Sequence, residues 1–278
     1  MAIEKPKLGQ ITQGTIYSAA AAENYFGFPT WGLCITARCD VAHETKTEVF
    51  NYVPVVRYED WLLVDGFRTL FNRIKAEHVG VLKSSLSQAK LSSSVLETYS
   101  PSVVVNKFFP STEKTDQKIK KIHECAAAIE EIQELRSKSS ISAVQLKNIC
   151  STSSKTAEKL AKELWGNQLS GYYFLKDIGE TEHGSNCGYV ILLREIHHIS
   201  RDAAALIGGG ITELESIEKK ISSLNFSVMD FSYPIAKLSS PWIEHVMQQF
   251  STLFNRIGLP DSPESTFPPL LEALKNGK

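Results

Sequence analysis

The chain has 278 residues, 42 % hydrophobic and 22 % charged, which is room for one large domain or two small ones around a sizeable core. Its net charge of −1 excludes a global basic field, so a polyanion could be held only by a local patch. No apolar run approaches the roughly 20 residues that span a bilayer, and the opening Met-Ala-Ile-Glu-Lys-Pro-Lys has no signal-like apolar core, so a cytoplasmic protein without membrane contact is expected.

Taken in order, Gly9 to Tyr17 predicts a first strand, anchored by Ile11, Ile16 and Tyr17. Phe26-Gly-Phe-Pro-Thr is a turn, and Leu33 to Ala37 predicts a second strand. Val49 to Arg57 predicts a third, placed at an edge or bulged because of Pro54. From Trp61 the apolar spacing turns helical, with a break expected at Asp65-Gly66. Ser84 to Ser94 reads as a surface connection, and Pro101 to Pro110 as a short strand around Val103-Val104-Val105.

Residues 112–168 read as an all-helical insertion between two parts of a barrel-based core, 1–111 and 169–278. Gly171 to Leu175 and Gly188 to Leu193 predict a hairpin, and Ile211 to Leu224 a helix. The last helix has Ser240 as its expected N-cap and Pro241 at its first position. An apolar stripe from Ile243 to Ile257 predicts that it covers a sheet, and the tail after Pro263 is expected to be weakly ordered.

Trp31 to His43 concentrates chemistry at the end of the second predicted strand. Arg38 beside Cys39 would favour a thiolate, with His43 or His183 as base and Asp40 orienting it; these four, Arg38, Cys39, Asp40 and His43, are the candidate catalytic set. The alternative is a strand end at which Asp40 caps a turn. Cys39-x-x-x-His43 and His183-x-x-x-Cys187 mirror each other and would make a Cys2His2 zinc site if they met; otherwise no cofactor is expected. Ser142 to Leu164 has the outline of a helix-turn-helix, with Gly171 to Leu193 as its wing. Ser154, Lys155, Thr156 and Lys159 would then enter a major groove. The plainer reading is a helical hairpin with a solvated face. His197-His198 would split between a buried and an exposed face of a strand.

The order of elements carries a resemblance. A strand led by Gly9, the strand Leu33 to Ala37 and the Val53-Pro54 strand are followed late in the chain by Gly188-Tyr-Val-Ile-Leu-Leu-Arg-Glu-Ile-His-His-Ile-Ser-Arg and a closing helix. This resembles the PemK/MazF-like toxins over about two-thirds of the chain, a topological similarity in a fold that hosts many functions. The resemblance implies a small antiparallel SH3-like barrel and a role on nucleic acid, as in toxin or anti-phage systems. Those ribonucleases use an Arg between the first two strands and a Ser or Thr after the third. Here Ala19 to Trp31 holds no Arg, and Val55-Val56-Arg57 follows Val53-Pro54. No catalytic residue carries over. The expected class is therefore α+β: an SH3-like barrel with a helical insertion and a C-terminal covering helix. The expected partner is nucleic acid or a protein, a homodimer included. The alternatives are a non-enzymatic winged-helix regulator and a protein-interaction subunit.

Overall fold

A computed structural model describes residues 2–43, 47–110 and 116–254. The first half runs β1 (Ile3–Glu4), β2 (Thr15–Ser18), β3 (Thr30–Cys34), α1 (Arg38–Ala42) and β4 (Val49–Arg57). Helices follow: α2 (Tyr58–Trp61), a π-helical turn (Leu62–Gly66), α3 (Phe67–Gln88), α4 (Val95–Thr98), α5 (Pro101–Phe108), α6 (Gln117–Arg136), α7 (Ala143–Thr152) and α8 (Ser154–Trp165). Strands then return as β5 (Tyr172–Leu175), β6 (Tyr189–Leu192) and β7 (His197–Ser200), followed by α9 (Arg201–Gly209). The last elements are β8 (Ile211–Thr212), α10 (Glu213–Glu218), β9 (Phe231–Ser232), β10 (Pro234–Leu238) and α11 (Trp242–Phe254).

Eight strands form one curled antiparallel half-barrel in the order β1-β10-β2-β3-β4-β6-β5, with β7 also pairing β4; β8 and β9 form a separate ribbon. Alternation along the strands sorts side chains onto two buried faces. One face gathers Ile16, Trp31, Leu33, Val53, Val55, Tyr189 and Ile191, and α11 adds Ile243 and Val246 to this cluster. The opposite face splits in two. Tyr17, Cys34, Phe50 and Tyr52 pack with Ala203, Ala204 and Ile207 of α9. Val56, Val190 and Leu192 pack with Trp61, Val64, Phe67 and Phe71 of the helical layer. Burial on both faces explains why Val53-Pro-Val-Val reads as an unbroken apolar run.

The helical layer is sewn together by α3. Its Leu82 packs with Ile122, Cys125, Ala126 and Ile129 of α6, and its Phe71 and Ile74 share a cluster with Leu160 and Leu164 of α8. Among the described residues no helix is long and apolar enough to cross a membrane.

Several expectations change. The first strand is only Thr15–Ser18, and the second begins at Thr30 and ends at Cys34. Pro54 lies in an interior strand, opposite Gly32 of β3. On its other side β4 pairs β7 through Tyr52 and β6 from Val55, so Pro54, with no N–H to donate, falls where that side changes partner. The helix is not broken at Asp65-Gly66. It passes through the π turn, where a Cβ on Gly66 would sit 2.7 Å from the Trp61 ring. Helix α3 continues to Gln88, through half of the predicted surface connection.

Pro101–Phe108 is helical, not extended. Pro101 occupies the first turn, and Ser102 gives both its backbone N–H and its hydroxyl to Glu130 of α6. Tertiary partners outweigh the strand preference of the valine run. The predicted helix Ile211 to Leu224 is a short strand and a short helix. A capping box between Thr212 and Glu215 starts α10, and Lys220, at φ 56°, follows its end. Helix α11 starts at Trp242, one residue after the expected position of Pro241. Its predicted end near Ile257, the tail after Pro263 and the start of the insertion at Thr112 lie outside the described residues.

Gly32 gives a direct test of the two-sided packing. A Cβ there would lie 2.5 Å from Cζ of the fully buried Tyr17. Gly32→Ala is expected to cost about 2 kcal/mol of stability, an overpacking effect. Adding Tyr17→Leu should recover part of that loss, so urea denaturation should show the double variant less destabilised than the sum of its singles.

Candidate functional site

The reactive stretch leaves β3 before its chemistry begins. Arg38 to Ala42 form the short helix α1, none of whose side chains is buried, and His43 follows it in extended conformation. Packing therefore does little to hold α1. Arg201, at the start of α9, holds it instead. Its guanidinium donates to the backbone carbonyls of Asp40, Val41 and His43 at 3.2 to 3.3 Å and to Thr47 at 3.0 and 3.1 Å. Those of Asp40, Val41 and His43 are carbonyls that the end of α1 leaves without helical partners. The same guanidinium stacks over Phe50, 5.0 Å from the ring centre.

The predicted catalytic set is near in sequence but not assembled as a nucleophile and base. Cys39 Sγ lies 3.6 Å from Asp40 Oδ1, and no hydrogen bond joins it to a histidine among the described residues. Arg38 points to Glu244 of α11, 3.7 Å away, with both side chains exposed.

The zinc site is not assembled either. Among the described residues no three His, Cys, Asp or Glu side chains are grouped to hold a metal ion. Cys39 and His43 lie on and beside α1, which Arg201 fastens to the start of β4. His183 and Cys187 lie in the β5–β6 loop. That loop is tied to the other end of β4, where Ser185 donates to Glu59 at 2.6 Å and its hydroxyl accepts from the Cys187 N–H at 3.0 Å. The length of β4 separates the two pairs.

In the predicted helix-turn-helix, α7 and α8 are separated only by Ser153. Ser154, Lys155 and Lys159 are exposed, whereas Thr156 is half-buried and donates to Glu77 of α3 at 2.8 Å. The expected wing is no wing: β5 and β6 are strands of the main sheet, with Val190 and Ile191 fully buried. His198 is exposed as expected, whereas His197, expected to be buried, is half-buried.

What the fold does assemble is a basic cleft of about 560 Å³. Arg38, Arg201, Lys7 and Lys237 line it, together with Phe50, and no carboxylate does among the described residues. Pairing of β1 with β10 brings Lys7 and Lys237 near α1 and α9. Lys237, half-buried, pairs with Glu4 at 3.0 Å, and Arg38 approaches Glu244 at 3.7 Å in an exposed pair worth little in water. Arg201 spends its donors on the wall; of the other three cations Lys7 has no ion pair among the described residues, whereas a ligand meeting Lys237 or Arg38 would compete with Glu4 or Glu244. Sequence reading singled out Arg38 alone. Lys7 and Lys237 lie 230 residues apart, and nothing in their local sequence couples them.

No protein-family model matches the chain, and neither a curated protein nor a solved structure matches it.

Proposed function

We propose that this chain is a cytoplasmic SH3-like-barrel protein, of the PemK/MazF-like kind and closed by its C-terminal helix, that binds single-stranded nucleic acid at the basic cleft, in a toxin or anti-phage setting. The observation that carries the reading is local. In a chain of net charge −1, four cations line one concavity, and among the described residues no carboxylate lines it, Glu4 and Glu244 standing only at its margin against Lys237 and Arg38. Polyanion binding needs such a patch rather than a basic total. Phe50, buried beneath the Arg201 guanidinium, holds that cation in place at the cleft wall.

Salt dependence tests it. A single-stranded RNA oligonucleotide should bind with log K falling linearly against log salt, by about 0.7 per phosphate contacted. The variant Lys7→Ala/Arg38→Ala/Lys237→Ala should bind at least about tenfold more weakly at low salt, with a slope shallower by about 2. Fluorescence anisotropy over a salt series reads both. Absence of binding by the wild type, or a slope the triple variant leaves unchanged, overturns the proposal.

A second reading rests on the exposed Lys155 and Lys159 of α8. Duplex DNA binding weakened by Lys155→Ala/Lys159→Ala and untouched by the cleft variant would favour it.

A further inference from the structure

A second cleft, of about 390 Å³, opens at the opposite end of β7 from Arg201, within the size range of small-molecule sites. Its chemistry is mixed rather than basic. Glu23, Asp65 and Glu195 line it with Arg194, His197 and Tyr172.

These groups are held in place by the protein itself. Glu195 Oε1 accepts from the Glu23 backbone N–H at 2.6 Å and lies 2.6 Å from His197 Nε2. The His197 ring stacks on Tyr52, 5.3 Å between centroids, and the Tyr52 hydroxyl is directed at the carbonyls of Ala21 and Ser223. Asp65 sits on the π-helical turn, a feature that recurs at functional sites. Its Oδ2 accepts from the Tyr25 hydroxyl at 2.8 Å, and burial raises its pKa.

Two groups keep hydrogen-bonding capacity. Glu195 Oε2 has no hydrogen bond among the described residues, and Arg194 uses only one nitrogen, toward Ser170 at 3.2 Å. Tyr172 meets the fully buried Trp61 edge-on, at 5.2 Å between ring centroids, which fixes the wall it presents to the cleft.

We infer that this cleft takes one unstacked nucleobase whose edge offers two adjacent N–H donors beside a carbonyl, namely guanine. The inference rests on the nucleic-acid reading above and names a base that reading leaves open. Guanine presents O6 as acceptor and N1–H and N2–H₂ as donors. Glu195 Oε2 supplies the open acceptor, with the Glu23 carboxylate and Asp65, itself engaged by Tyr25 and Arg68, lining the same cleft; Arg194 supplies the donor for O6. Adenine and cytosine place a ring-nitrogen acceptor where the carboxylates would face it, and uracil has one N–H between two carbonyls. Tyr172 offers an aromatic wall, the usual partner of a splayed-out base.

Calorimetric titration of the full chain with GMP, AMP, CMP and UMP tests it. GMP should bind at least about tenfold tighter than the others, because only guanine leaves neither the Glu195 acceptor nor the Arg194 donor unpaired. Glu195→Gln keeps an acceptor for the Glu23 N–H but puts an amide donor at the guanine edge. It should abolish the preference while the melting temperature stays near that of the wild type. Should Glu195→Gln fail to fold, Asp65→Asn is the second variant and should reduce the preference at least threefold. Equal affinity for the four nucleotides, or a preference indifferent to both variants, overturns the inference while salt-dependent RNA binding still stands. GMP preference retained without salt-dependent RNA binding supports the cleft and overturns the basic-cleft reading instead.

Discussion

Trp31→Ala is expected to lower the free energy of unfolding by about 4 kcal/mol, in the range for deleting a large buried aromatic. Trp31 is fully buried at the centre of the sheet's inner cluster, where Ile16, Leu33, Val53 and Val55 surround it. Its ring meets Tyr189 edge-on at 5.4 Å, and its indole N–H donates to Glu180 Oε2 at 3.1 Å. Alanine would leave a cavity between β3 and β6 and strip Glu180 of this donor. Trp31→Phe keeps most of the ring and should cost less than half as much. Urea denaturation followed by circular dichroism measures both, and a loss under about 1.5 kcal/mol for the alanine variant would mean that the inner face is not packed as described.

Asp60→Ala should cost about 3 kcal/mol, for a different reason. Asp60 is buried at the turn from β4 into α2, and Arg57 meets both its carboxylate oxygens, at 2.5 and 3.1 Å. Removing the carboxylate leaves a guanidinium, only 26 % exposed, without its counter-charge. The paired replacement Arg57→Met/Asp60→Leu should recover most of the loss, because it removes both desolvated charges together.

The pH dependence carries a sign. Burial, the largest influence, raises the Asp60 carboxyl above its ordinary value, and Arg57 pulls it partly back. A carboxyl whose folded pKa lies above its unfolded one binds protons more readily in the fold. Its contribution therefore becomes more favourable as pH falls from the folded pKa toward about 3.9. The gap between wild type and Asp60→Ala should widen across that window. A gap that closes on acidification would mean that the ion pair, not burial, dominates.

The local patterns that were legible are those whose period survives in the fold. The whole of β4 and the β5–β6 hairpin could be read because β4 and β6 are apolar runs covered on both faces, and in α11 Ile243 and Val246, three apart, reach the sheet. The misreadings share one cause. The valines of Pro101–Phe108 favour a strand in isolation, but Glu130 and the α6 packing surface take them as a helix. Pro54 suggests an edge, yet the partner change from β7 to β6 gives it an interior place.

Composition by itself determined that a basic site would have to be local, and side-chain periodicity determined a mixed class with antiparallel strands and a helical segment between them. It also drew notice to Arg38 and to the His197 neighbourhood. Only the tertiary structure decided what those residues meet. Arg38 joins Lys7, Arg201 and Lys237 because β1 pairs with β10 and α9 fastens α1. Cys39 and His43 stay apart from His183 and Cys187 because they belong to opposite ends of β4. The physical reason is that spacing along a chain fixes contacts only within one helix or strand; contacts between distant segments follow from strand pairing and packing, which no local spacing records.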